Sequence, residues 1–260
     1  MTLCSAQEDR QVDTYSAFDK MSESIWNMRM YDDIVQTLLE RCASLAGKET
    51  LDLSKARILD AGCGTGGMSI ALLKRKPVME IALLDLRDNA LKKASQRIRT
   101  IAPETTIVLY NADVHAIPAE DNTFDLVISR GSQRFWHDQH RAYEELRRVM
   151  KPSGIAYIGG GRGSLRFQKQ RAEGDDTWEP DHYGCDRRVQ RRLPSFSLPD
   201  SAYRELLEAW GDSYVIYAHE GDGRWFCWQK GEQRRRQSNG TKSAMGKDRE
   251  HTRAIKKHTE

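Results

Sequence analysis

The chain has 260 residues, 38% of them hydrophobic and 30% charged, with a net charge of +3. That allows one domain of full size with appendages, or two small ones, and excludes a membrane-spanning helix, because no apolar run nears the roughly 18 residues such a span needs. Five cysteines, odd in number and without a CxxC pair, suggest neither a disulfide framework nor a zinc site. The N-terminal "MTLCSAQEDR" is too polar for a secretory leader, so a reduced, cytoplasmic protein is expected.

Residues 12–46 carry two helical stretches. Tyr15, Phe18 and Met21 share one face of the first. Tyr31, Ile34, Val35, Leu38, Leu39 and Cys42 share one face of the second, which Gly47 ends. From residue 57 strands and helices alternate. "RILDAG", "VMEIALLD", "TTIVLYNAD", "FDLVISR" and "GIAYIGGG" read as strands, several of them apolar on both faces, as strands covered on both sides must be. "DNALKKASQRIRTIAP" reads as a helix with Asp88 as N-cap, Leu91, Ala94, Ile98 and Ile101 on one face, and Pro103 as its stop. "DQHRAYEELRRVMKPSG" reads as another, capped by Asp138, with Tyr143, Leu146, Val149 and Met150 inward. Residues 162–198 show no period and hold eight Lys/Arg and six acids; such an irregular insertion is usually functional or mobile. "PDSAYRELLEAWG" is a further helix, ended by Gly211. The strands "SYVIYAHE" and "RWFCWQK" then meet through the hairpin signal "GDG". The sum is an α/β protein: a doubly wound, mostly parallel sheet finished by an antiparallel hairpin.

Residues 231–260 hold nine Lys/Arg against four acids, a net +5, whereas the rest of the chain carries −2. This stretch has too few apolar residues to offset its ordering entropy, so a disordered basic tail is expected. A solubilising end is the favoured reading. Contact with nucleic acid is the alternative, not favoured because short basic tails carry no specific readout.

The chemistry concentrates at "ILDAGCGTGGMS". A strand that ends in glycines and opens a helix lets a ligand approach the backbone closely and meet unpaired N–H groups. Gly62, Gly64 and Gly67 satisfy GxGxxG, which would also fit a dinucleotide enzyme. The acids point elsewhere. Asp60, two residues before Gly62, would suit a cationic ligand rather than a pyrophosphate. Asp85, at the end of the second strand, can accept two ribose hydroxyls. Asp113, at the end of the third, can accept an exocyclic amino group, with Leu86 and Val114 as apolar walls.

The segments "DAGCGTG", "LLDLRDNALKKA", "NADVHAIPAEDNTFDLVIS" and "LRRVMKPSGIAYIGG" occur in the order and at the spacings of a known family. Over residues 57–160 the chain resembles the class I S-adenosylmethionine-dependent methyltransferases. The resemblance implies a seven-stranded sheet of order 3-2-1-4-5-7-6 and S-adenosylmethionine as cofactor. It lays Gly62 and Gly64 against the methionine part, Asp60 near its amino group, Asp85 on the ribose, and Asp113 with Val114 on the adenine. Cys63, a small residue within the loop, is counted among these contacts.

The sulfonium methyl is already electrophilic, so positioning can supply most of the rate and no metal is implied. After the fourth strand, "ISRGSQRFWHD" lacks the Asn/Asp-Pro-Pro-aromatic stretch of many base and glutamine methylases. Arg130 can serve the cofactor or pair with an anionic substrate, or else with a nearby acid. His137 can act as a general base or be a plain surface histidine. Phe135 and Trp136 can wall a pocket or pack beneath the next helix. Neither "HDQH" nor "DHYGC" offers helical i, i+4 pairing or paired cysteines, so no metal site is expected. Gly159, Gly160 and Gly161 mark a close approach or a sharp bend.

Residues 1–47 are expected to form helices that close the cleft, with Tyr15, Phe18, Trp26 and Met30 as lid candidates. Residues 48–230 form the methyltransferase domain. The expected function is methyl transfer from S-adenosylmethionine to a small molecule. The alternatives are an RNA or protein methylase anchored by the tail, and a non-catalytic cofactor-binding module.

Overall fold

The computed structural model describes residues 25–173, 195–218 and 223–231. The expected helix around Tyr15, Phe18 and Met21, the Trp26 side chain, the greater part of the insertion and the basic tail lie outside the described residues.

The elements in chain order are α1 (Ile25–Leu45), β1 (Arg57–Ala61), α2 (Gly67–Arg75), β2 (Glu80–Asp85), α3 (Asp88–Ile101), β3 (Thr106–Asn111), β4 (Phe124–Arg130), α4 (Gln139–Val149), β5 (Met150–Gly160), α5 (Leu165–Glu173), α6 (Asp200–Trp210), β6 (Ser213–Tyr217) and β7 (Arg224–Gln229). One seven-stranded sheet runs β3-β2-β1-β4-β5-β7-β6. Strands β1 to β5 pair in parallel, and β7 pairs antiparallel with both β5 and β6. This is the expected order. Its direction of winding reverses between β1 and β4, and the crevice at such a reversal is where open α/β sheets bind ligands.

Side chains alternate across each strand, which splits the core in two. Ile58, Ile81, Leu126, Ile128 and Tyr157 face α1, α2 and α3, packing against Ile34, Val35, Leu38, Leu72, Leu91 and Ile98. Leu59, Ala82, Val127, Ala156 and Ile158 face α4 and α6, packing against Tyr143, Leu146, Tyr203 and Leu207. Each fully buried aliphatic side chain is worth about 1.5–3 kcal/mol. Covering both faces is what demands strands without a polar side.

Three local expectations need correction. Asp88 does not cap α3: it is the first helical residue, no side-chain cap bond is formed there, and its carboxylate binds Lys92 one turn on at 2.5 Å. The N–H of Arg87 is taken instead by Asp85 at 3.0 Å. Ile101, expected on the buried stripe, is 39% exposed at the last position of the same helix. The insertion opens with a helix, α5, whose main chain starts on Ser164: its hydroxyl accepts the N–H of Phe167 at 3.1 Å. The segment has good helix formers but no apolar stripe, so periodicity missed what propensity and the cap supply. Asp138, by contrast, caps α4 as expected, accepting from the Arg141 N–H at 3.0 Å.

Candidate active site

The glycine loop between β1 and α2 is shaped by neighbours on three sides. Gly62 has φ +71, and a Cβ there would lie 2.4 Å from the Cβ and Oγ of Ser132. The Ser132 hydroxyl and that of Ser129 both donate to the Ala61 carbonyl, at 3.0 and 2.7 Å. Gly62 is therefore bare to admit the β4 loop. At Gly67 an added Cβ would meet the Tyr31 ring at 2.4 Å, so this glycine admits α1. Gly64 differs. It has φ +53, and a Cβ there would find only the Arg87 guanidinium, at 3.8 Å. The open side of the loop is at Gly64.

Asp60 and Asp85 stand at this loop, and Asp113 lies just past the end of the neighbouring strand β3. Asp60 ends β1 almost wholly buried, its carboxylate accepting the Ser69 hydroxyl at 2.6 Å. Burial pushes its pKa up to about 7, Asp85 adding to the rise while hydrogen bonds from Ser69 oppose it. Asp85 ends β2 and ties two segments together: one oxygen accepts the Gly64 N–H at 2.8 Å, the other the Arg87 N–H at 3.0 Å. Asn111, at the end of β3, secures the same corner through the carbonyls of Asp85 and Leu86, at 3.2 and 2.9 Å.

Asp113 follows β3 and binds both the main chain and the ring Nδ1 of His115. Partial burial works against its ionisation, but those bonds prevail and hold its pKa below the ordinary carboxylate value. Val114 is buried, whereas Leu86 is 69% exposed, an apolar side chain open to whatever lies beside the β2 end. The Cys63 side chain is buried in the core on the α1 side, and its thiol donates to the Gly64 carbonyl at 3.4 Å.

Arg130, at the end of β4, donates to the Tyr31 hydroxyl at 3.1 Å and the Gly161 carbonyl at 3.1 Å, and lies over the Tyr31 ring at 4.9 Å. Its Nε is buried and makes no hydrogen bond among the described residues. No acid within salt-bridge distance of it is found among them. Met30, a lid candidate, is buried with its sulfur 3.5 Å from Arg130. Trp136 packs edge-on to Tyr143 in the core, as the plainer reading had it. His137 is exposed and lies against His115, with 4.0 Å between ring centroids. Its recorded partner is thus at the Asp113 end of the cleft, whereas Arg130 contacts α1 and the β5 exit.

Sequence reasoning missed Ser69, Asn111, Ser129, Ser132 and Tyr31, which hold the loop and its acids in place. It also missed Arg97, whose guanidinium reaches from α3 to the Thr65 carbonyl at 2.6 Å. The pattern Ser-Arg-Gly-Ser was the one local signal, since it sets two hydroxyls three residues apart around a turn. The others act across the fold.

Residues 59–158 match the family model described as a methyltransferase domain. A crystal structure from Methanococcus maripaludis, whose description proposes an S-adenosyl-L-methionine-dependent methyltransferase, superposes with a TM-score of 0.63 at 27% identity, over 84% of this chain and 93% of that one. The malonyl-[acyl-carrier protein] O-methyltransferase of Geobacter sulfurreducens is 31% identical over 125 residues, 48% of this chain and 45% of that protein. The mitochondrial arginine-hydroxylase NDUFAF5 of Mus musculus is 31% identical over 166 residues, 60% of this chain and 46% of that protein. The chain spans less than half the length of these two curated relatives. Residues 59–158 thus match a methyltransferase domain, the chain has the class I S-adenosylmethionine-dependent methyltransferase fold, and S-adenosylmethionine is the cofactor of methyltransferases with that fold.

Proposed function

We propose that the protein transfers a methyl group from S-adenosylmethionine to a small-molecule acceptor. One observation carries this reading: Asp60, Asp85 and Asp113 stand at or just past the carboxyl ends of three adjacent strands, with Asp85 holding the loop at its open Gly64. A set of carboxylates suits a cationic nucleoside and repels a pyrophosphate. When bound, S-adenosylmethionine supplies a methyl on a sulfonium, which passes to a nucleophile as the thioether leaves.

The residues then bind and orient. Asp85 accepts the ribose hydroxyls with lone pairs left over from its two backbone bonds. Asp113 accepts the adenine amino group, with Leu86 and Val114 against the ring faces. Asp60 favours the ammonium, and Arg130, a cation among neutral partners, favours a carboxylate of the cofactor or acceptor. Met30 and Tyr31 of α1 cover the Arg130 end and exclude water. The Geobacter relative is named for methylating malonyl-[acyl-carrier protein], an acyl group held on a protein carrier, so thioesters belong in the acceptor panel. The hydroxylase relative makes turnover the deciding measurement. Incubation with methyl-labelled S-adenosylmethionine and a panel of carboxylic acids, thioesters, phenols and amines is expected to form S-adenosylhomocysteine in an acceptor-dependent way. Binding without any such product would overturn the transferase reading in favour of a binding module, and label entering RNA or protein would overturn the small-molecule assignment.

Asp60 sets a pH signature. Its folded pKa of about 7 lies above the ordinary 3.8, so the native state keeps a proton that the unfolded chain loses between those values. Its contribution to stability is full below about pH 4 and falls as pH rises toward 7. A neighbouring ammonium reverses the preference by drawing the carboxylate into its ionised form. S-adenosylhomocysteine is therefore expected to bind roughly tenfold more weakly at pH 6 than at pH 8 and to level off above that, with Asp60→Asn flattening the profile. A flat calorimetric profile in the unmodified protein would remove Asp60 from the ammonium.

A further inference from the structure

Three side chains able to ligate a metal converge beside the adenine end of the cleft. The carboxylate of Asp113 and the imidazoles of His115 and His137 each present one ligand atom, and these atoms lie within 4.8 Å of one another. The sequence hides the group, because His115 follows β3 while His137 follows β4. The tertiary structure brings the two rings to 4.0 Å.

The main chain sets the tautomer of His115. The Asp138 N–H donates to His115 Nε2 at 3.2 Å, so that nitrogen is an acceptor and Nδ1 carries the proton it gives to Asp113. Nδ1 of His115 and the Asp113 carboxylate face the same space, and the proton they share must leave that nitrogen when a cation binds. The segment is also held firmly from α4. Arg141 Nε donates to the His115 carbonyl at 3.1 Å, and buried Glu145 accepts the Ile117 N–H at 3.0 Å.

We propose that Asp113, His115 and His137 form a site for a borderline divalent cation of the zinc type, and that filling it competes with cofactor binding. The first part stands on the cluster alone; the second rests on the assignment of Asp113 to adenine given above. Two imidazoles and one carboxylate favour zinc over magnesium or calcium, and three protein ligands leave a fourth position for water. Tetrahedral bonds of about 2.0–2.2 Å set the ligand atoms roughly 3.3–3.6 Å apart, so Asp113 and His115 separate slightly from their hydrogen bond while the exposed His137 ring moves in. His115 ligates through Nδ1, its proton moves to Nε2, and the Asp138 N–H turns to water at the exposed start of α4.

The test uses the untagged, metal-stripped, full-length chain. Calorimetric titration with zinc chloride is expected to show one equivalent bound in the micromolar range, with cobalt(II) giving the visible absorption of a nitrogen–oxygen tetrahedral site. His115→Gln and His137→Gln should each weaken zinc at least about tenfold without shifting the thermal melt by more than a few degrees. Saturating S-adenosylhomocysteine should weaken zinc as well. Zinc binding unchanged in the His115→Gln/His137→Gln double variant would overturn the site. Zinc binding lost in these variants but indifferent to S-adenosylhomocysteine would uphold the site, while overturning both the competition and the placement of adenine on Asp113.

Discussion

Asp85→Ala is expected to weaken S-adenosylhomocysteine binding by at least about a hundredfold in calorimetry. The carboxylate already accepts the N–H groups of Gly64 and Arg87, at 2.8 and 3.0 Å. Its side chain is 11% exposed. Each hydrogen bond to a charged group is worth about 1.5–3 kcal/mol, so losing two ribose contacts alone predicts about 3–6 kcal/mol. Truncation also frees the Gly64 N–H and lets the loop depart from its open geometry. Asp85→Asn, which keeps an acceptor oxygen, should cost less. Affinity within threefold of the unmodified protein in Asp85→Ala would show that the nucleoside lies elsewhere.

Gly62→Ala should be the most damaging single methyl in the glycine loop. The added carbon would sit 2.4 Å from Ser132 Cβ and Oγ, in a backbone at φ +71. The left-handed backbone costs an L residue about 1–2 kcal/mol, and forcing Ser132 aside costs about 1–3 more. A loss of about 3 kcal/mol is a large fraction of the 5–15 kcal/mol typical of a domain, and urea unfolding would register it. The companion Ser132→Gly removes the clash but not the backbone strain, so the double variant should recover only part. Gly62→Ala within 0.5 kcal/mol of the unmodified protein would refute this account. The outcome separates structural from ligand-driven glycines: the same substitution at Gly64, where the space is open, should spare stability more and cost cofactor affinity.

Much of the site was legible because strand ends are easy to find when both faces of a sheet are covered. Apolar runs such as "ALLD" stop where burial stops, and the acid that follows stands at the crevice. Asp60, Asp85 and Asp113 were found that way, and the strand order came with the family resemblance. What the linear pattern concealed was which neighbour each residue serves. Asp88 looked like the cap of α3, yet it is Asp85 that accepts the Arg87 N–H at the start of that helix. The insertion looked irregular because α5 has a cap and propensity but no buried stripe. Arg130 offered two readings, and among the described residues its partners are a tyrosine hydroxyl and a carbonyl rather than an acid.

The sequence by itself determined the alternation of strands and helices, the bare loop and the acids at the strand ends. Each of these follows from hydrophobic period and residue type over a few neighbouring positions. Only the tertiary structure decided that Gly62 yields to Ser132 and Gly67 to Tyr31 while Gly64 stays open, and that His115 and His137 meet beside Asp113. Those are contacts between segments far apart in the chain, set by how the helices pack on the sheet, and no local pattern encodes them.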